Sequence, residues 1–251
     1  NNSYAYTAGL YTAEGEYHTE KKEYRLWLYS DKRKLLQYLD DSIIHNVYSY
    51  ATRDLVILTK CTDKFYVPDT TWSIKSRLDW LAGLADGDGT LTWNRNANHC
   101  SCELQITSAE KDFIIQVSLM LNTLGVQPNI QLMHRKSVIR MLPDGKGGYK
   151  TYPTQDCWRL RIKPSDLYKL QEMGFHTERL DISDNDPQYS VKRKLLIVSI
   201  ENIGEDGTYC FTEPLSGRGT FNGIVTGQSE QPLPPYGLCT LGSFNLVKYI
   251  H

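Results

Sequence analysis

Glu14 and Asp88 close two copies of one short motif, and a pair of carboxylates repeated in this way is the clearest chemical signal in the chain. The first copy reads Thr7-Ala-Gly-Leu-Tyr-Thr-Ala-Glu-Gly15, the second Leu81-Ala-Gly-Leu-Ala-Asp-Gly-Asp-Gly89. They align without a gap, 74 positions apart. Each holds small residues four apart, Gly9 with Ala13 and Gly83 with Gly87, a spacing that puts them on one helix face. Glycine inside a helix costs about 1 kcal/mol relative to alanine. What it offers is a smooth groove in which another helix can approach by its backbone, so two copies imply two motif helices packed on each other. The glycine after each acid is the expected left-handed C-cap. Glu14 and Asp88 then sit at two helix C-termini, where the dipole disfavours negative charge. Like charges brought together there call for a cation. Hard oxygen ligands suit Mg²⁺, which keeps several waters and accepts phosphate oxygens. The chemistry implied is metal-assisted phosphodiester hydrolysis. One such motif alone would serve equally as an ordinary buried helix ending in a solvated acid; two with matched acids and glycines argue for a shared site.

The elements that must carry this pair repeat as well. Arg25–Ser30 alternates like a strand, and an amphipathic helix is predicted through Leu35, Leu36 and Leu39. In the second copy Glu103–Ser108 alternates, and a helix follows through Phe113, Ile114, Val117, Leu119 and Leu121, stopped by Gly125. A further strand is predicted in each copy, Leu55–Leu58 and Trp158–Ile162. Pro143-Asp-Gly-Lys-Gly-Gly148 reads as a turn or loop. Residues 1 to about 185 therefore read as two copies of a helix–strands–helix unit.

Bulk properties set the frame. The 251 residues suffice for one large domain or two modest ones, and 40% hydrophobic with 23% charged residues is ordinary for a globular protein. No apolar run is long enough to span a bilayer, and no membrane partner is expected. The chain opens Asn1-Asn2-Ser3 with neither a methionine nor a secretory signal, so a truncated or processed start and an intracellular, cytoplasmic setting are expected. Six cysteines fit no zinc framework and are expected as reduced thiols, with Cys100 and Cys102 on one face if that stretch is a strand. A net charge of −1 is unlike the basic balance of most nucleic-acid binders. Local field matters more than the sum, and basic residues cluster at Lys21-Lys22, Lys32-Arg33-Lys34, Arg135-Lys136 and Arg159/Arg161/Lys163.

Leu81–Gly89 resembles the second signature of LAGLIDADG homing endonucleases, and Thr7–Gly15 resembles a diverged first signature with Thr12 where an acid is common. The resemblance implies an α+β fold: a pseudo-twofold saddle of two αββαββα halves, about residues 1–78 and 79–186, whose sheets grip double-stranded DNA. It implies a monomeric endonuclease that cuts both strands, with Glu14 and Asp88 holding Mg²⁺. Lys64-Phe-Tyr-Val-Pro68 is similar to an intein-endonuclease block in which a lysine assists catalysis, which makes Lys64 a candidate and Lys163, at the end of a late strand, its candidate partner. Alternating strand positions would face DNA: His18, Glu20, Lys22, Arg25 and Trp27 in one sheet, Thr92, Asn94, Asn96, Gln105 and Thr107 in the other. Such side chains pair with base edges or phosphates.

The texture changes after Asp184-Asn-Asp-Pro187. Lys194–Glu201 and Thr208–Glu213 read as strands about a Gly204–Gly207 turn, and Phe221-Asn-Gly-Ile-Val-Thr-Gly-Gln228 closes the segment. This resembles the C-terminal splicing blocks of inteins, matched by Cys210 and Asn222-Gly-Ile-Val225, and implies that residues 187–228 form the β-strands of a partial Hint splicing domain. The family usually ends His-Asn; here Gly227-Gln228 stands instead, so cyclisation would run through a six-membered imide, slower than at asparagine. Ser229 would supply the acceptor hydroxyl. Residues 229–251, beginning Ser229-Glu-Gln-Pro-Leu-Pro-Pro-Tyr-Gly, resemble ribonucleotide reductase of the adenosylcobalamin-dependent class and read as a C-extein stub, with Glu230 at the family's catalytic glutamate. The expected partners are DNA at the intein-less insertion site and the N-terminal intein/extein portion of the same precursor. Two functions compete: an active homing endonuclease, and a cleavage-inactive DNA-binding remnant that supports splicing. Reductase activity is set aside, because only a stub of that enzyme is present.

Overall fold

The computed structural model describes residues 2–96, 99–134, 139–143, 148–153 and 155–187, and beyond these 199, 201–202, 204, 218–221 and 224–227. The chain divides into two compact units, Asn1–Ser190 and Val191–His251.

The first unit is an α+β fold built twice. Its first half runs α1 (Ala5–Glu14), β1 (Gly15–His18), β2 (Glu23–Tyr29), a 3₁₀ segment (Ser30–Tyr38), β3 (Ile44–Ser49) and β4 (Arg53–Leu58). The second half runs α2 (Ile74–Asp88), β5 (Gly89–Asn96), β6 (His99–Ser108), α3 (Lys111–Asn122) and β7 (Asn129–His134). A hairpin of β8 (Ile139–Pro143) and β9 (Tyr149–Pro153) follows, then β10 (Cys157–Ile162) and α4 (Pro164–Glu172). The two main sheets share one topology, β1-β2-β4-β3 and β5-β6-β10-β7, antiparallel throughout. Pro143 pairs with Tyr149, so the Gly-rich stretch between them joins the strands of the hairpin.

Sequence explains the pairing of the halves. Gly9 lies so close to α2 that a Cβ there would stand 1.8 Å from the Trp80 carbonyl oxygen; at Gly83 it would stand 2.1 Å from the Tyr6 oxygen. Gly83 lies 74 positions after Gly9, and Trp80 lies 74 after Tyr6, so the second contact is the first with the repeats exchanged and the helices cross on a pseudo-twofold axis. Near that axis a Cβ on Gly87 would meet that of Ala13 at 2.2 Å. Each sheet then covers its own core. Leu10, Tyr11, Leu26, Leu28, Leu35 and Val56 form the first; Leu84, Leu104, Ile106, Val117, Leu160 and Leu167 belong to the second.

Three sequence expectations are corrected. Gly15 and Gly89 are extended, at φ −87° and −74°, not left-handed. Each motif helix passes straight into a strand, and what excludes a side chain is crowding by the Tyr11 ring at Gly15 and by the Ala85 backbone at Gly89. The helix predicted through Leu35 is a 3₁₀ segment, in which Leu35 alone is fully buried. With so little packing, no α-turn is stabilised over the charged run; Lys32 and Arg33 are tied instead to Glu14 and Asp54. No helix follows β4 where α4 follows β10: residues 59–73 run to Ser73, which caps α2 by accepting from Ser76 N at 3.1 Å.

Of the second unit, the structure describes an antiparallel pair, β11 (Arg218–Phe221) and β12 (Ile224–Gly227), with Phe221 opposite Ile224. The strands expected at 194–201 and 208–213 fall on residues that are, with the exceptions of 199 and 201, outside the described ones. Among the described residues no helix is long and apolar enough to cross a membrane. Cys61, Cys100, Cys102 and Cys157 are free thiols; burial pushes Cys102 up to about 12.

Candidate active site and nucleic-acid interface

The packed helices deliver Glu14 and Asp88 to the same end of the pair. The two carboxylates repel: Asp88 is held above the usual carboxylate range first by desolvation and then by the Glu14 charge, with Lys32, Lys64 and Arg179 acting in the opposite direction. Asp88 keeps substantial exposed surface, so the desolvation is that of a group open on one side and crowded by protein on the others. Glu14 is more enclosed, its side chain 15% exposed, and accepts a hydrogen bond from Lys32.

Lys64 brackets Glu14. Its ammonium donates to the carbonyl of Ala13 at 3.0 Å and to that of Gly15 at 2.5 Å. Burial lowers the Lys64 pKa, and the charges of Asp88, Glu14 and Glu16 oppose that. The geometric counterpart in the second half is Arg179. Its Nη2 donates to the Gly89 carbonyl at 2.7 Å and the Ala85 carbonyl at 3.2 Å, and its Nε to the Asp86 carbonyl. Lys163, expected there from sequence, is instead the exposed N-cap of α4. The reason is topological: the segment that returns to the motif helix comes after α4, not at the end of β10.

Asp86 holds that segment in place. Fully buried, its carboxylate accepts from the amides of Glu178 at 2.8 Å and Arg179 at 2.9 Å and from the Tyr6 hydroxyl at 2.8 Å. Burial and this carboxylate raise the Tyr6 pKa. Thr12 occupies the equivalent place in the first half and donates to its own helix, to Ala8 O at 3.0 Å. Lys64 arrives there without a carboxylate anchor and is held by the Ala13 and Gly15 carbonyls. Sequence reading missed Lys32, Arg179 and Asp86. The basic run 32–34 signalled the first of them; an acid inside the last turn of a motif helix, which needs partners if buried, signalled the last.

These donors fit a hard divalent cation. Two carboxylates from helix C-termini leave most coordination positions to water and phosphate oxygens, as Mg²⁺ prefers. No group of three or more His, Cys, Asp or Glu that would make an all-protein cage occurs among the described residues.

The outward faces of the sheets carry most of the residues expected to meet DNA. In the first sheet Arg25 and Trp27 line a groove of about 400 Å³ together with Lys21, Tyr48, Leu55 and Ile57. Arg25 pairs with Glu23 at 3.0 Å, Trp27 Nε1 donates to Glu16 at 3.0 Å, and the Arg53 guanidinium stacks 4.4 Å over Trp27. Glu20 and Lys22 lie in the β1–β2 turn rather than on a strand, Lys22 at φ 52°. In the second sheet Thr92, Asn94 and Thr107 are exposed, and Gln105 donates to Thr92 at 3.1 Å and Glu103 at 2.7 Å. The Asn96 side chain, and the expected splicing residues Cys210, Asn222, Gln228 and Ser229, lie outside the described residues.

The profile of the LAGLIDADG-like domain family matches residues 76–203. The large subunit of ribonucleoside-diphosphate reductase from Invertebrate iridescent virus 6 is 37% identical over 253 residues, covering 98% of this chain and 26% of that protein. The ribonucleoside-diphosphate reductase NrdEB subunit alpha of Bacillus subtilis (strain 168) is 29% identical over 200 residues, 67% of this chain and 18% of its own length. The chain thus spans about a quarter or less of the curated relatives it matches. Among solved structures, the homing endonuclease I-DmoI in complex with DNA and Mn is similar over 69% of this chain and 96% of that one, at 18% identity and a TM-score of 0.38.

Proposed function

The chain belongs to the LAGLIDADG-like domain family, and from that premise we propose that residues 1–186 are a site-specific endonuclease that hydrolyses both strands of duplex DNA with Mg²⁺. The observation that carries this is the pairing of Glu14 and Asp88: two acids from symmetry-related helix ends, close enough for one charge to raise the other's pKa.

In this reading Glu14 and Asp88 would hold the metal. When bound, Mg²⁺ supplies Lewis-acid polarisation of the phosphate and a more acidic water. The chain's own residues do the rest. Lys64 fixes the carbonyls on either side of Glu14, so the acid is oriented before substrate arrives, and its ammonium adds positive charge beside a phosphate that gains negative charge in the transition state. Arg179 orients the end of α2 in the same way. Lys32 neutralises Glu14 and limits the repulsion that would otherwise push the helix ends apart.

We further propose that residues 187–228, with Cys210, Asn222 and Gln228, are the C-terminal splicing segment of an intein, and that residues 229–251, from Ser229, are its C-extein in a ribonucleotide reductase. Similarity that runs along 98% of the chain inside a reductase large subunit supports this. The DNA partner is then the uninterrupted reductase gene at the insertion point, and the protein partner the N-terminal portion of the same precursor.

Binding and cleavage of two duplexes, one carrying the uninterrupted insertion site and one carrying the insertion, test the reading. Selective cutting of the uninterrupted duplex in Mg²⁺ is expected. Selective binding without cutting would leave a DNA-binding remnant in its place, and equal treatment of the two would refute the homing role.

A further inference from the structure

The pseudo-twofold axis makes the outward positions of the two sheets comparable one by one. Gly15 pairs with Leu26, and Gly89 with Ile106. Arg25 is therefore equivalent to Gln105, and Trp27 to Thr107. Pairing across β2–β4 and β6–β10 carries the match inward: Leu55 stands where Arg159 stands, and Ile57 where Arg161 stands. Pairing onto β3 and β7 carries it to the edge, where Tyr48 matches Gln131. At these five sites the first sheet carries Arg, Trp, Leu, Ile and Tyr, its Leu55 and Ile57 only 7% and 6% exposed; the second carries Gln, Thr, Arg, Arg and Gln.

Internal bonds engage polar groups on both faces. In the first sheet they are consumed internally: Arg25 by Glu23, Trp27 by Glu16, and Arg53 by the rings of Trp27, Tyr29 and Tyr50 at 4.4, 5.9 and 5.6 Å. In the second sheet Glu103 likewise holds Arg161 through two bonds, at 2.7 and 2.8 Å, and accepts from Gln105 at 2.7 Å. Arg159 Nε is buried and has no hydrogen-bond partner among the described residues, and Gln131 is exposed.

Resting on the endonuclease reading, we propose that the two halves of the DNA target are read by different chemistry. The second sheet reads its half by hydrogen bonds to base edges, where arginine selects guanine and glutamine selects adenine. The first sheet reads its half by apolar contact with thymine methyls and by shape, which separates A·T from G·C pairs weakly. The target is then lopsided: one strict arm and one tolerant, A·T-leaning arm.

The test is selection of bound duplexes by the full 251-residue chain from a library randomised across the bound length, without divalent metal, followed by sequencing. The expected product has one arm with several fixed positions and one with a mild A·T preference. Gln131→Ala or Arg159→Ala relaxes positions of the strict arm by roughly tenfold to a hundredfold, while Trp27→Ala weakens all enriched sequences by a common factor. Two equally strict arms, or relaxation of the strict arm by Trp27→Ala and not by Gln131→Ala, would overturn this inference and leave the endonuclease reading standing. No enrichment of any duplex would overturn both.

Discussion

Lys64 and Arg179 donate to the same carbonyl of the two repeats, Lys64 to Gly15 at 2.5 Å and Arg179 to Gly89 at 2.7 Å. The repeats reach this contact by different routes. Lys64 comes from the coil that follows β4, and Arg179 from the segment that follows α4. Each fixes the turn at which a motif helix becomes a strand and an acid is presented. The two differ in chemistry: Arg179 brings a planar guanidinium that is held by three carbonyls, whereas the Lys64 pKa is lowered by burial.

Removing these groups should therefore have unlike effects. Arg179→Met strips several bonds from partly buried carbonyls and should cost about 2–3 kcal/mol of stability, read by urea denaturation. Lys64→Met should cost less and act mainly on chemistry. A denaturing gel that resolves the two DNA strands is expected to show nicked product accumulating with Lys64→Met while the protein stays folded.

The helix crossing is the least forgiving part of the fold. Gly83→Ala places a methyl 2.1 Å from the Tyr6 carbonyl oxygen; backbone cannot yield as a flexible side chain would. A loss of roughly 3 kcal/mol or more is expected, at the top of the range for overpacking. Gly125→Ala is the control: its cost comes from φ +74° alone, with nothing within 4 Å of an added methyl, and should be near 1 kcal/mol. Equal losses would mean that the helices can part.

Much of this was legible beforehand, and the reason is local. Gly9 and Gly83 announce a helix crossing because a four-residue spacing maps directly to one face. Glu14 and Asp88 follow from position in the motif. What was not legible depends on distant backbone. Arg179 lies 91 positions beyond Asp88 and acts on carbonyls, for which no side-chain pattern exists. Which of Lys32, Arg33 and Lys34 meets Glu14 depends on the 3₁₀ pitch, read from sequence as α. The left-handed caps failed because crowding by Tyr11 and Ala85, not dihedral freedom, demands Gly15 and Gly89.

Asp86 should behave as the anchor of the 178–179 segment. Asp86→Asn replaces one acceptor oxygen by a donor against the three donors it now serves, and a loss of about 2–4 kcal/mol is expected. Tyr6→Phe removes one of those donors and should cost about 1 kcal/mol. In a double-mutant cycle the two changes should couple; additive losses would show that Tyr6 and Asp86 act separately.

Asp88 predicts a pH signature. Its pKa is raised in the folded chain, so the native state binds more protons than the unfolded state across the carboxylate range, and stability falls as pH rises through it. Without metal, Asp88→Asn should melt at a higher temperature than the wild type at pH 7, and the gap should close as pH falls below the ordinary carboxylate pKa. Mg²⁺ should raise the melting temperature of the wild type and leave that of Asp88→Asn nearly unmoved. A gap that persists at low pH would contradict the assignment.

The paired acids themselves are tested most directly by cleavage of the uninterrupted insertion-site duplex, with Mg²⁺ varied, by the wild type, Glu14→Gln and Asp88→Asn. Cutting by the wild type that requires Mg²⁺, with the loss of double-strand cutting in either variant while both still bind the duplex, is the result expected. Full cutting by either variant would contradict a shared metal site built from Glu14 and Asp88.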